Sequence, residues 1–465
     1  MSGLLWVAES MLLGCLLVCR FTDLPSIGPR WARLVLIFGA GAVGGIGVSS
    51  CLFFLFGVLT GIPLAAMAVE LLLLAWAGCE VFRRRIRVFH STTWAGPPLL
   101  VTFAALALLL VLGLATLSIW VSLDANPQGN WDGWAIWNLR AKFLASGAGL
   151  AQRAWSPVLG ATTHPEYPLL LSGFIGRCWA FSRTLAVSVP AATAFVFFLA
   201  LLALAAGCIG VIRGPFLGIL IALSLAATPG LWHEVPSLYA DVPLACFFLA
   251  ALVFALLDRP ALAGVFAGFA AWTKDEGLAF LVLFLAATVV FRRRTFLTAL
   301  LGSVPVGAIL VFFRLALARG NHSLLSTSLP GAAHRIADLG RYGAILSAVA
   351  GEVRAMAAGW YHPILPFLVL TVMLKFDRER RRDVTYCGSV LAALLLSYFG
   401  VFVVTNNDLN WQLQGSLSRL LLQLWPALLL TGFAALRAPQ AQPIEQPAPA
   451  SRRQKRDKSP ALHRS

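Results

Sequence analysis

The chain has 465 residues, 59% of them hydrophobic and 12% charged, with a formal net charge of +16 and a mean hydropathy of +0.81. Soluble domains carry about 25% charged residues, so the composition excludes an ordinary soluble protein and points to a polytopic membrane protein. The positive charge is no nucleic-acid signature. It is clustered at the ends of apolar segments or in the tail, as "RRRIR" (83–87), "FRRRT" (291–295), "KFDRERRRD" (375–383) and "RRQKRDK" (452–458), a pattern that reports topology and holds anionic lipid.

Apolar segments are predicted at 3–19, 33–57, 61–82, 98–122, 186–211, 214–230, 238–257, 261–273, 277–291, 296–316, 359–376, 384–405 and 416–436. Strand-period alternation is absent, and Gly and Pro occur inside the apolar runs as membrane helices allow. The expected fold is all-α, a polytopic bundle of about 13 membrane helices at roughly 20 residues per crossing. The first run, "LLWVAESMLLGCLLVC", has no basic n-region and no A-x-A site, so it is expected to be a retained helix. The eight cysteines are scattered with no CxxC pair, and read as small hydrophobes.

Three regions are expected: N-terminal membrane helices (1–97), a main membrane domain (98–436), and a disordered, basic, Pro/Gln-rich cytoplasmic tail (437–465). Placing the arginine clusters in the cytoplasm of a cell (inner) membrane protein puts the N-terminus outside. Residues 123–185, 231–237, 274–276, 317–358 and 406–415 then face the extracytoplasmic side. "YPLLLSGFIGRCWAF" (167–181) is too short and too interrupted to cross, so it is expected to lie along the interface with Arg177 and Trp179 among the headgroups.

The unusual polar residues collect on that outer face. In "SLDANPQGNWDGWAIWNLRAKFLASG" (122–147), Asp124 and Asp132 precede an aromatic helix that carries Arg140 and Lys142 toward headgroup phosphates. Asp132 suits a general base or metal ligand, or a helix cap beside an aromatic belt. "THPEYPLLL" (163–171) presents His164 and Glu166 from a proline-bracketed turn, as a site or as a helix entry. "WHEVPSLYADVPLACFF" (232–248) puts Asp241 at a helix start, where it either caps the helix or serves a site. "AWTKDEGLAFLVL" (271–283) sets Lys274 and Glu276 between two apolar half-helices, paired with each other or lining a cavity. "TNNDLNWQLQGSLSRLLLQLWP" (405–426) puts Arg419 just inside the last helix, poised to bind phosphate or to snorkel. Glu70, mid-helix in "AVELLLL", has no evident partner.

In this order, over residues 98–430, the chain resembles the GT-C superfamily of polytopic glycosyltransferases. It is most similar to the bacterial branch related to protein mannosyltransferases and lipid A aminoarabinose transferases. There the first large loop carries an acidic motif, usually Asp-Glu, then aromatic and small residues ending in Gly, an outline that "DGWAIWNLRAKFLASG" follows from Asp132. "HPEYP" stands where the family has a KPP-aromatic turn, and "YADVPLA" and "TKDEGL" match its later helix start and its KGP-like break. Gly133 replaces the second acid, His164 replaces a lysine associated with the donor phosphate, and the three helices before residue 98 have no counterpart.

The resemblance implies an enzyme that moves a sugar from a polyprenyl-phosphate donor to a glycan, lipid or protein acceptor. Such chemistry needs no nucleotide and no Gly-rich phosphate loop. Asp132, with Asp124 second, is the expected base. His164, Glu166, Asp241, Lys274, Glu276 and Arg419 are the expected donor-phosphate and substrate contacts, and a divalent metal is left open. The reaction would invert the anomeric centre. The alternatives are a transporter or flippase of a lipid-linked or small solute, which calls for inverted repeats that are not visible, and a polysaccharide polymerase or ligase.

Overall fold

The computed structural model describes residues 2–22, 28–84, 98–319, 329–357 and 374–437. Among these the regular structure is all helical, with one isolated antiparallel bridge between Phe376 and Leu436. The helices are α1 (Ser2–Phe21), α2 (Arg30–Leu52), α3 (Pro63–Arg83), α4 (Pro98–Ala125), α5 (Leu139–Ala145), α6 (Ala148–Ala151), α7 (Leu170–Ser182), α8 (Ser188–Arg213), α9 (Pro215–Ala226), α10 (Pro229–Glu234), α11 (Asp241–Leu256), α12 (Pro260–Thr273), α13 (Asp275–Phe291), α14 (Arg293–Phe312), α15 (Leu329–Ala337), α16 (Leu339–Ala357), α17 (Arg381–Val404) and α18 (Leu409–Ala435).

Among the described residues, 8 helices are long and apolar enough to cross a membrane: α1, α2 with the π-helical turn that continues it, α3, α4, α8, α14, α17 and α18. The apolar helices α9, α11 and α12 have only 12, 16 and 14 residues, short of the roughly 20 that one crossing takes. The expected segment 359–376 lies almost wholly outside the described residues, as do the tail from 438 onward and most of "RRRIR".

Burial sorts the helices. Every residue of α11 is buried, and α11 packs against α12, α18, α8 and α13. Its sequence is apolar on all faces, as a helix enclosed on every side requires. By contrast α3 and α4 expose most of their Leu, Phe and Trp side chains, which suits surfaces solvated by lipid tails. The short helices thus occupy the centre, and their ends carry the charges.

Two expectations change here. Residues Leu170–Trp179 of α7 are buried, packed on α1, α2 and α5, so Arg177 and Trp179 do not sit among headgroups. Arg177 is fully enclosed and bonds Glu70, Glu9 and the Trp6 carbonyl, which also gives Glu70 its partner. Nor does Arg140 reach a lipid phosphate: it is buried, and it donates to the carbonyls of Ala154 at 2.7 Å and Tyr167 at 2.6 Å. Both guanidiniums turn inward because each finds acceptors there that offset its desolvation. Lys142 is exposed.

Candidate active site

The site begins where α4 ends. The loop after α4 docks on the segment before α11: Asn130 N–H donates to the Ser237 carbonyl at 3.0 Å, and its side-chain amide donates to Ser237 Oγ at 2.9 Å. Asp132 follows, opening a π-helical turn, Gly133–Asn138, that runs into α5. A Cβ at Gly133 would meet the Ser237 carbonyl oxygen at 2.6 Å. The docked backbone leaves no room for a side chain at this position.

Asp241 is the first residue of α11 and 1% exposed. Asp241 is not the N-cap of its helix, a place taken by Ala240. Instead its Oδ2 accepts from Arg419 Nη2 at 2.6 Å and Nε at 3.0 Å, and its Oδ1 accepts from Gln423 Nε2 at 2.5 Å and from Lys274 Nζ at 3.5 Å. Gln423 lies one turn beyond Arg419 on α18, and its Oε1 accepts from the Tyr398 hydroxyl of α17 at 2.6 Å. Lys274 is the extended residue between α12 and α13, and pairs with Glu276 at 2.8 Å.

Arg419 lies in the third turn of α18, which begins at Leu409, so it sits deeper in the helix than the apolar run suggests. One guanidinium serves three acids: Asp241, Asp132 Oδ2 at 2.7 Å and Glu234 Oε1 at 3.6 Å. Its Cζ also lies 4.2 Å from the ring centroid of Tyr239. Asp132, Glu234, Asp241 and Glu276 thus share Arg419 and Lys274, four carboxyl groups against two cations. Burial, reinforced by the charge of Asp241, raises the Glu234 pKa above the usual carboxyl range and favours its neutral form. Each cation is paired with carboxylates, so an incoming anion would have to displace one of them.

A second cluster adjoins the first. His164 Nδ1 lies 3.0 Å from Glu166 Oε1, and Glu166 is buried. The imidazole stacks on Tyr167, 4.4 Å between centroids at 5°, and Tyr167 stacks in turn near Trp137 at 5.9 Å and 16°. Lys274 Nζ lies 5.9 Å from the Tyr167 ring centroid, which joins this cluster to the first. His164 adopts a left-handed backbone, φ 47°, a conformation that a non-glycine residue holds only when its surroundings impose it. Arg140 fixes the turn from beneath through the Tyr167 carbonyl. Burial pushes its pKa down to about 9.

The structure therefore gathers Asp132, Asp241, Lys274, Glu276 and Arg419 into one ion network and sets His164 and Glu166 beside it. Asp124 stays apart, exposed on the last turn of α4 and in no ion pair among the described residues. Among the described residues no three His, Cys, Asp or Glu side chains converge as a metal ion would need. Three further residues, in the network or next to it, were missed as site residues. Glu234 was visible only as a polar residue before α11. Arg314, a lone arginine in the apolar run 296–316, bonds Asp275. Tyr398 carries no signal in its own sequence neighbourhood.

Comparison with family models, curated proteins and solved structures finds no match to this chain. The chemistry of the site is therefore read from its own geometry.

Proposed function

We propose that the protein is a GT-C-like membrane glycosyltransferase that moves a sugar from a polyprenyl-phosphate donor to a hydroxyl of a glycan, lipid or protein acceptor, on the extracytoplasmic face of a cell membrane. The observation that carries this reading is the Arg419 bridge. A partly exposed acid, Asp132, shares a cation with a wholly buried one, Asp241, at the rim of a membrane-embedded bundle. The loop order of the resemblance, an acid in the first large loop, then a "YAD" helix start and a K-D-E-G break, supports the same reading.

In this mechanism the donor phosphate competes with Asp132 for the guanidinium, because Arg–phosphate hydrogen bonds are charge-assisted and bidentate. Capture of the phosphate frees the Asp132 carboxylate. It then takes the proton of the acceptor hydroxyl, whose oxygen attacks the anomeric carbon opposite the phosphate. The bond from that carbon to the phosphate oxygen breaks, and its electron pair leaves with the phosphate, where Arg419 stabilises the developing charge. One displacement inverts the anomeric centre. The lipid tail would run along the exposed apolar face of α4, past Leu109, Leu117 and Trp120, toward Asp132.

The test uses purified protein in detergent with a panel of polyprenyl-phosphate sugars, following donor loss and donor binding for the parent, Asp132→Asn and Asp124→Asn. Turnover lost in Asp132→Asn alone, with binding kept, supports the proposal. Absence of both turnover and binding with every donor returns the transporter or flippase reading.

A further inference from the structure

Buried ion networks are weak contributors to stability, since the desolvation of each charge offsets most of the attraction between them. One that persists in the core of an apolar bundle calls for another account. Arg177 is fully enclosed. Its Nε donates to Glu70 Oε2 at 2.7 Å and to Oε1 at 3.0 Å, its Nη1 donates to the Trp6 carbonyl at 3.0 Å, and its Nη2 contacts both Glu70 and Glu9. The guanidinium also lies 4.9 Å from the ring centroid of Phe181 and 5.8 Å from that of Trp6. Glu9 belongs to α1, Glu70 to α3 and Arg177 to α7. One side chain of α7 thus locks it to two of the three N-terminal helices, while Ser50 of α2 donates to the Leu170 carbonyl at 2.7 Å.

The other face of α7 carries the Asp132 segment. Residues four apart share a helix face, and Ser172 and Gly176 form such a pair. Ser172 Oγ donates to the Trp137 carbonyl at 3.0 Å, inside the π-helical turn that Asp132 opens. Gly176 lets α5 approach until a Cβ would lie 2.9 Å from the Ala141 carbonyl oxygen. Gly173 and Arg177 form the corresponding pair on the side toward α1, α2 and α3. Helix α7 is therefore a splint with the N-terminal helices on one face and the Asp132 turn on the other.

We infer that α1–α3 serve to hold the Asp132 turn in place through the Arg177 clamp on α7, and that Arg177 is a positioning residue for the candidate site. The inference deepens the reading of that site as the working one, but the geometry it rests on is independent of the reaction. The clamp sets the register of α7 between α1 and α3, and the Ser172–Trp137 bond passes that register to the turn. The charges are retained because they select one placement of α7, where an all-apolar surface would permit slippage.

The test is amide hydrogen exchange by mass spectrometry on the full-length chain in detergent, which needs no donor. The triple variant Glu9→Gln/Glu70→Met/Arg177→Met removes the clamp without stranding a charge. It is expected to speed exchange at least tenfold across residues 133–145 and in α7, while α11–α13 keep the parent's protection. Ser172→Ala, which leaves the clamp intact, is expected to speed exchange in 133–145 only. Arg177→Lys restores part of the protection. Parental exchange in 133–145 in a folded triple variant overturns the inference, as does an equal loss of protection across the whole chain. Should the triple variant fail to fold, Ser172→Ala decides: unchanged exchange in 133–145 sinks the coupling. Because no donor enters the measurement, failure of the glycosyltransferase reading leaves this result untouched.

Discussion

Arg419 and Asp132 stand 287 positions apart in the chain and meet in an ion pair of 2.7 Å. The same Nη2 lies 2.6 Å from Asp241, so a single nitrogen joins a rim acid to a core acid. The arrangement makes Asp132 the exchangeable partner. Its side chain is 21% exposed where that of Asp241 is 1%, and a ligand arriving from outside displaces the more exposed acid first.

Removal of the arginine is the most damaging change at the site. Arg419→Met leaves Asp132 and Glu234 without their cation and Asp241 with only Lys274 and Gln423, and loss of one partner of a buried pair costs about 3–5 kcal/mol. Arg419→Lys keeps the charge but lacks the planar fork that bonds two carboxylates together, and is expected to fall between the parent and the methionine variant. Adding Asp241→Asn to Arg419→Met removes the most deeply buried of these carboxylates and is expected to recover part of the loss. Thermal unfolding in detergent reads all three, and a double variant less stable than Arg419→Met contradicts the network.

The carboxyl excess predicts a pH dependence with a definite sign. Glu234 has its folded-state pKa raised by burial and by Asp241, so the folded protein binds a proton there that the unfolded chain has already released. Stability from this group is present below the ordinary carboxyl pKa, about 4.3, and declines as pH rises toward the folded value. Glu234→Gln, which mimics the protonated form, is expected to match the parent at the acid end of that window and to exceed it at the alkaline end. Parallel stability–pH curves for the two proteins argue against a neutral Glu234.

Much of the fold was legible because apolar runs in a chain this hydrophobic have few other uses, and charges among them are costly enough to mark a site. Asp132, Asp241, Lys274, Glu276 and Arg419 stood out on those grounds. What the sequence hid were partnerships. Glu70 looks isolated because Arg177 is 107 positions away, and Arg177 and Arg140 resemble headgroup contacts when their buried acceptors are invisible. The sequence ranks Asp132 ahead of Asp124 without a geometric ground; the docking of Asn130 on Ser237 supplies one, since Asp132 and not Asp124 meets Arg419. The apolar runs 214–230, 238–257 and 261–273 foretell α9, α11 and α12 to within a few residues, but not that α11 packs at the centre of the bundle, buried along its whole length.

Arg140 offers a test of the loop rather than of the ions. Its three carbonyl contacts, Ala154, Pro165 and Tyr167, tie the start of α5 to the turn that bears His164. Arg140→Ala leaves those buried acceptors unpaired, at about 1–3 kcal/mol each where no water replaces the donor. The penalty is local, so the expected result is early cleavage between residues 146 and 168 in limited proteolysis, ahead of cleavage elsewhere. Digestion at the parent's rate in this segment argues that the guanidinium does not hold the loop.

The exchange of Asp132 for a phosphate on Arg419 makes a prediction that a passive base does not. If Asp132 only deprotonates the acceptor, Asp132→Asn lowers turnover and leaves donor affinity alone. If Asp132 also occupies the phosphate's cation, the same substitution weakens the competitor and tightens donor binding. With side chains only 19% and 21% exposed, the pair is worth at least about 1 kcal/mol, roughly a fivefold change in Kd, while loss of a general base lowers turnover by about 10²–10⁴-fold. The expected outcome is therefore opposite movement of the two quantities: kcat down by orders of magnitude and donor affinity up several-fold, with the gain shrinking as added salt screens the pair. Donor titration by fluorescence or calorimetry beside single-turnover kinetics separates the cases. A fall in donor affinity instead assigns Asp132 to donor binding and removes the exchange step from the mechanism.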